Sequence, residues 1–154
     1  MEVRLAVPAD APALKKLNDL FNGEGSNTAQ AIEKSLAENT QEIVCVAIEN
    51  SAGADKYVGF CCGQIIKSMC YSILYGDITE FFVLEEYRRQ DVGKRLIEQI
   101  EAEFHKRGVN HLHHFVGSSN AAAQAVFHSL GYANTTVSSY GSPSLVILER
   151  DTDL

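Results

Sequence analysis

A chain of 154 residues carrying 13 Lys and Arg against 20 Asp and Glu, for a net charge of −7, is long enough for one domain that buries roughly two-thirds of its unfolded surface. The acidic balance argues against a nucleic-acid binder and leans toward a cationic partner, so an anionic ligand must use a local basic site. The four cysteines, Cys45, Cys61, Cys62 and Cys70, form no CxxC pair, the start Met1-Glu2-Val3-Arg4 lacks a signal-peptide core, and no apolar run approaches the ~20 residues that span a bilayer; the expectation is a cytoplasmic protein with reduced thiols and no membrane contact.

Residues 3–7 read as a short strand ending at Pro8, and residues 10–21 as a helix with Leu14, Leu17 and Phe21 on one face. A polar break over residues 22–27 precedes a second short helix, with Thr28 as candidate cap and Ile32 and Leu36 one turn apart. Residues 42–48 and 57–66 are strand-like around a polar turn and suggest a hairpin. The next strand, residues 77–84, ends in Phe81-Phe82-Val83-Leu84, apolar on both sides as a covered strand should be. Simple alternation puts Asp77, Thr79 and Phe81 on one face and Ile78, Glu80 and Phe82 on the other.

Between that strand and a strongly amphipathic helix lies Tyr87-Arg88-Arg89-Gln90-Asp91-Val92-Gly93-Lys94-Arg95-Leu96. It packs four cations into an acidic chain. A helix beginning near Asp91 leaves its first N–H groups without intrahelical partners and points its dipole outward, which favours phosphate. Arg88, Arg89, Lys94 and Arg95 add charge and directional donors, and Gly93 lets a ligand approach the backbone. The helix carries Val92, Leu96, Ile97, Ile100 and Phe104 along one stripe and closes at Gly108. Residues 111–116 form a strand, Ser119 or Asn120 caps a helix bearing Ala123, Val126, Phe127 and Leu130, and Gly131 ends it. Strands over 132–137 and 145–149 flank a turn at 141–143, and the last four residues are expected to fray. No internal repeat or domain boundary interrupts residues 1–154, which read as a single domain.

The Arg88-x-x-Asp91-x-Gly93 turn after the strand, together with Asn120 and the run Phe127-His128-Ser129-Leu130-Gly131-Tyr132, resembles the GNAT (N-acetyltransferase) superfamily over almost the whole chain. The resemblance implies an α/β (α+β) fold: a mixed, mostly antiparallel sheet of six to seven strands with helices on both faces, in the order β-α-α-β-β-β-α-β-α-β-β. It implies acetyl-CoA as co-substrate and no metal. Residues Arg88, Arg89, Gln90, Asp91, Val92 and Gly93 would bind the pyrophosphate, assisted by Lys94 and Arg95. Phe82, Val83 and Leu84 would offer backbone groups to the pantetheine arm, Asn120 would contact the same arm, and Phe127 would pack near the thioester. Two positions depart from the family pattern. Asp91 replaces a usual glycine, and its carboxylate would oppose a pyrophosphate by roughly 1 to 4 kcal/mol unless it caps the helix or turns toward Arg88, Lys94 or Arg95. Phe127 stands where many members carry a proton-donating tyrosine.

An amine attacks a thioester only as the free base, and an alkylammonium has a pKa of about 10.4, so a group must take its proton. Asp77 matches a position where some members carry a catalytic Glu or His, and Glu80 matches another acidic position; Asp77 is the first choice as base or water relay. Val83 or a neighbour would supply the oxyanion N–H. The implied reaction is direct transfer to a primary amine of a small cationic molecule or a peptide, with a non-catalytic CoA-binding module as the alternative and a homodimer as a possible assembly. Cys61, Cys62 and Cys70 lack a neighbouring His, and the cluster His111, His113 and His114 reads as packing or hydrogen bonding and not as a metal site. Residues 21–26, with Asp19 and Glu24, and the loop bearing Tyr71 and Tyr75 are candidate walls of the acceptor pocket.

Overall fold

The structure is a computed structural model and describes residues 1–51, 53–109, 111–135 and 145–151. Its elements are β1 (Glu2–Leu5), α1 (Ala11–Asn22), α2 (Ala29–Glu38), β2 (Glu42–Ser51), β3 (Ala54–Lys67), β4 (Leu74–Val83), α3 (Val92–Lys106), β5 (His111–Gly117), α4 (Ala121–Ser129), β6 (Ala133–Thr135) and β7 (Leu145–Asp151). This is the expected element order, with single 3-10 turns added at Pro8–Asp10 and Glu85–Tyr87. The expected strand residues 136–137, the turn at 141–143 and residues 152–154 lie outside the described residues.

The seven strands form one sheet in the order β1-β2-β3-β4-β5-β7-β6. Every pairing is antiparallel except β4 with β5, the pair joined by the α3 crossover. One core lies between the sheet and α3 with α4, built on Leu96, Ile97, Ile100, Phe104, Ile78, Val83 and Phe127. A smaller one lies under α1 and α2, built on Leu14, Leu17, Val46, Ile48 and Phe60. Helix starts follow the sequence cues: Thr28 Oγ1 accepts from Ala31 N at 3.2 Å, and Asn120 Oδ1 accepts from Ala123 N at 3.1 Å. Glycines end two helices in the left-handed region, Gly108 at φ 77° and Gly131 at φ 90°.

The position of α3 is set by a notch. A Cβ at Gly63 would meet Phe104 Cζ at 2.7 Å, and one at Gly76 would meet the Phe104 ring at 2.8 Å. The bare backbones of adjacent β3 and β4 therefore make room for a phenyl ring that is wholly buried. Seating Phe104 fixes the height of the helix over the sheet, and with it the place of its N-terminus.

At the other end of the sheet, Asp10 accepts from Arg4 Nη1 at 2.7 Å and Nη2 at 2.8 Å, from the Tyr57 hydroxyl at 2.6 Å and from Val7 N at 2.8 Å. Burial pushes the Asp10 carboxyl up, but these donors outweigh it and hold it at about 2, below its ordinary 3.8. A lowered folded-state value contributes stability that is complete above about pH 4 and vanishes as the pH falls through about 2. The expected result is that the stability gap between wild type and Asp10→Asn, measured by urea denaturation, narrows between pH 4 and pH 2 and is constant above it.

Candidate active site

Phase along β4 differs from simple alternation. The β3 partner of Glu80 is Cys62 and the partner of Ile78 is Gly63, which leaves Thr79 as an extra residue in a β-bulge. Ile78 and Phe81 thus both face the α3 core, while Glu80 and Phe82 face α1 and α2. Asp77, the neighbour of Ile78, shares the α1/α2 side with Glu80. The expected assignment of the two carboxylates to opposite faces is therefore corrected: the bulge brings both to the same face.

The parallel ladder between β4 and β5 consists of Tyr75↔His111, Gly76↔Leu112 and Asp77↔His113. Beyond it the two strands part. A cavity of about 330 Å³ opens where they diverge, between the end of β4 and the start of α4, lined by Phe81, Phe82 and Val83 from β4, Arg88, Arg89 and Gly93 from the basic turn, Asn120, Ala122, Ala123 and Val126 from α4 and its cap, and Leu20 and Phe21 from α1. Gly93 is required here because a Cβ would stand 2.6 Å from Phe81 Cζ.

Arg88 Nε donates to the carbonyl of Val83 at 3.0 Å, which ties the turn to the end of β4. Arg95 N donates to Asp91 O at 3.0 Å as the helix ladder begins, and the preceding N–H groups of the first turn remain available to an anion. Of the other residues expected around the phosphates, Lys94 pairs with Glu98 at 3.9 Å, Arg95 Nη2 donates to Met1 O at 3.2 Å, Gln90 Nε2 donates to Glu86 O at 2.8 Å, and Val92 is buried in the core. Leu84 lines a different surface depression, beside Tyr57 and Leu17. None of these five side chains lines the gap.

Asp91 does not cap α3 with its side chain, contrary to expectation, and it adopts φ 58°. Arg89 is also left-handed, at φ 60°. A non-glycine residue in this region carries strain, of order 1 kcal/mol or more. Asp91→Gly is therefore expected to tighten coenzyme A binding about tenfold in calorimetry, by removing a charge that opposes the phosphates. Weaker binding in that variant would show that the carboxylate holds the turn in shape.

Phe127 does not line the gap either. Its ring is wholly buried between His114, Tyr132 and Phe81, at centroid distances of 4.4, 5.0 and 6.4 Å. Val126 and Ala123 present the α4 surface instead, a choice that helical spacing from Asn120 could have revealed. Burial pushes His114 down to about 4, so it is a neutral core residue at physiological pH.

On the α1/α2 side a second cavity, of about 190 Å³, is lined by Asn18, Asn22, Asn27, Glu42, Cys62 and Glu80 among others. Burial raises Glu80, and burial together with the charge of Glu80 raises Glu42. Asp77 is also raised by burial, opposed by His113. Asp19 is ion-paired to Lys15, and Tyr71 is largely exposed. The buried thiols are poor nucleophiles: burial pushes Cys45 up to about 12 and holds Cys61 and Cys62 well above the ordinary thiol range. Among the described residues no group of three or more His, Cys, Asp or Glu is placed to hold a metal ion.

Residues 12–132 match the family model described as the Acetyltransferase (GNAT) family. The chain belongs to the GNAT family. It is accordingly an acetyl-CoA-dependent N-acetyltransferase. An uncharacterized N-acetyltransferase of Chlorobaculum tepidum is 29% identical over 133 residues, covering 84% of this chain and 74% of that protein. The [ribosomal protein bS18]-alanine N-acetyltransferase of Escherichia coli is 44% identical over 88 residues, 54% of this chain and 60% of that enzyme, so the match spans less than two-thirds of it. The fold is shared with the PaiA N-acetyltransferase of Thermoplasma acidophilum in complex with coenzyme A, at TM-score 0.70 and 16% identity over 98% of both chains.

Proposed function

We propose that this GNAT protein transfers the acetyl group of acetyl-CoA to a primary amine of a small cationic molecule or a peptide, by direct attack in a ternary complex. The observation that carries this reading is the gap between β4 and β5. One end meets the unsatisfied N–H groups at the start of α3, beside Arg88 and Arg89, and the ladder from which the two strands diverge ends at Asp77 and His113. A linear cofactor with a diphosphate at one end and a thioester at the other matches that arrangement. The backbone edge of Phe82 and Val83 would bind its arm, and a β4 amide would stabilise the oxyanion.

The acceptor enters from the α1/α2 side, where Asp77, Glu80 and Glu42 favour a cation. A peptide acceptor is consistent with the bacterial relative that acts on a ribosomal protein. The proton of the attacking ammonium leaves toward the β4 carboxylate face, and Phe127, enclosed in the core, donates nothing to the departing thiolate. A thiol with a pKa near 8.5 leaves unaided at a useful rate near neutral pH.

The test is free-thiol release from acetyl-CoA over a panel of polyamines, aminoglycosides and peptide amines. Turnover on at least one is expected. Tight coenzyme A binding with no turnover on any of them would favour a regulatory CoA-binding module, the reading to which the uncapped Asp91 and the apolar Phe127 lend weight.

A further inference from the structure

Asp77 and His113 form the last rung of the parallel ladder, at the fork where β4 and β5 part. His113 Nε2 lies 3.8 Å from Asp77 Oδ2, with 20% and 15% of the two side chains exposed. That separation is ion-pair range and longer than a hydrogen bond, as is common before substrate arrives. Asp77 Oδ1 is buried and accepts no hydrogen bond, and His113 is the ion-pair partner of the carboxylate among the described residues. The His113 ring is braced by Tyr75 at 6.0 Å and Phe115 at 5.6 Å between centroids. Leu112 and Val116 face the α3 core, and alternation turns His111, His113 and Phe115 to the opposite face, the acceptor side.

We propose that His113 is the group that takes the proton of the acceptor ammonium, and that Asp77 is a positioning residue that orients the imidazole and stabilises it once charged. This rests on the acetyl-transfer reading above. With Nε2 turned to Asp77, Nδ1 takes the proton, directly or through one water. The freed nitrogen lone pair forms the C–N bond, and the C–S bond breaks with its electron pair on sulfur. The second nitrogen proton passes through solvent to the thiolate, and His113 returns its proton to water. One ammonium and one thioester give one amide, one thiol and one proton. Imidazole is the side chain most often used as a general base near neutral pH, and here its ring, not the buried carboxylate, is braced toward the acceptor side.

The other polar groups around the pair are accounted for. Gln64, the β3 partner of Asp77, is uncharged. Tyr75 and Glu80 lie on β4. His111 is hydrogen-bonded to Asp151 at 2.7 Å. Glu149, the β7 register partner of His113, accepts from Thr135 Oγ1 at 2.7 Å. His114 faces the other layer, against Phe127.

The experiment is kcat against pH for wild type, His113→Gln, Asp77→Asn and Glu149→Gln, with the best acceptor from the amine panel, and calorimetry with coenzyme A as a check on folding. His113→Gln is expected to lower kcat ~10²-fold and remove the acid limb. Asp77→Asn is expected to keep the limb and move it to lower pH, because losing a nearby carboxylate disfavours the imidazolium. Glu149→Gln is expected to leave the limb in place. Added imidazole is expected to restore turnover to His113→Ala with a limb of its own. A limb that survives His113→Gln and disappears in Asp77→Asn makes the carboxylate the base and overturns the proposal, as does wild-type kcat in His113→Gln or no rescue of a His113→Ala protein that still binds coenzyme A. Failure of the wild type on every amine ends the acetyl-transfer reading itself, and is seen without any variant.

Discussion

Arg88→Ala is expected to weaken coenzyme A binding by about 10- to 100-fold in calorimetry, the effect of losing hydrogen bonds to a charged group worth about 1.5 to 3 kcal/mol. Arg88 has two tasks. Its Nε holds the Val83 carbonyl at 3.0 Å, which fixes the turn against the strand, and the rest of its guanidinium lines the gap. A lysine has one compact charge and cannot do both, so Arg88→Lys is expected to recover only part of the loss. Lys94→Ala is the contrasting variant. Its ammonium is exposed, paired with Glu98 at 3.9 Å and absent from the lining of the gap, so its removal is expected to change affinity by less than about threefold. Equal losses in Arg88→Ala and Lys94→Ala would mean that diffuse positive charge, and not the seat of Arg88, holds the diphosphate.

Phe104→Ala is expected to cost about 3 to 5 kcal/mol in urea denaturation, a large share of the whole stability of a domain this size. The ring is completely buried, and the notch that receives it is made of backbone at Gly63 and Gly76. Strand backbones held in a ladder on both sides cannot close inward, so the cavity left behind stays open. A loss below about 2 kcal/mol would show that α3 settles into the notch instead. The same variant is expected to weaken coenzyme A binding, since a helix that loses its seat no longer presents its first turn at a fixed height.

Element order and the two helix starts that border the cavity were legible because each rests on local chemistry: cations and a small residue at one, and Asn120 before a run of alanines at the other. The face of Asp77 was not, because a single extra residue at Thr79 shifts the phase of everything after it. The clue was present in the spacing of Ile78, Phe81 and Val83, three apolar residues that straight alternation cannot put on one side. Gln90 was assigned to the phosphates by resemblance to the family turn and Lys94 and Arg95 as assisting cations, whereas their partners, Glu86, Glu98 and the first residue's carbonyl, are set by the surrounding fold. Phe127 was placed beside the thioester by analogy; the turn of α4 that sends Val126 and Ala123 outward also sends Phe127 into the interior. The partnership of His113 with Asp77 depends on the register of two strands distant in sequence, which no local pattern encodes.

The parting of β4 from β5 leaves two stretches of sheet edge inside the molecule with no ladder between them. Most proteins keep such edges at the periphery and guard them with charge or proline. An extended ligand laid along them would place binding and resistance to unfolding on the same contacts. Every tenfold rise of free cofactor above its Kd adds about 1.4 kcal/mol of cohesion, so the fold is most secure when the enzyme is loaded.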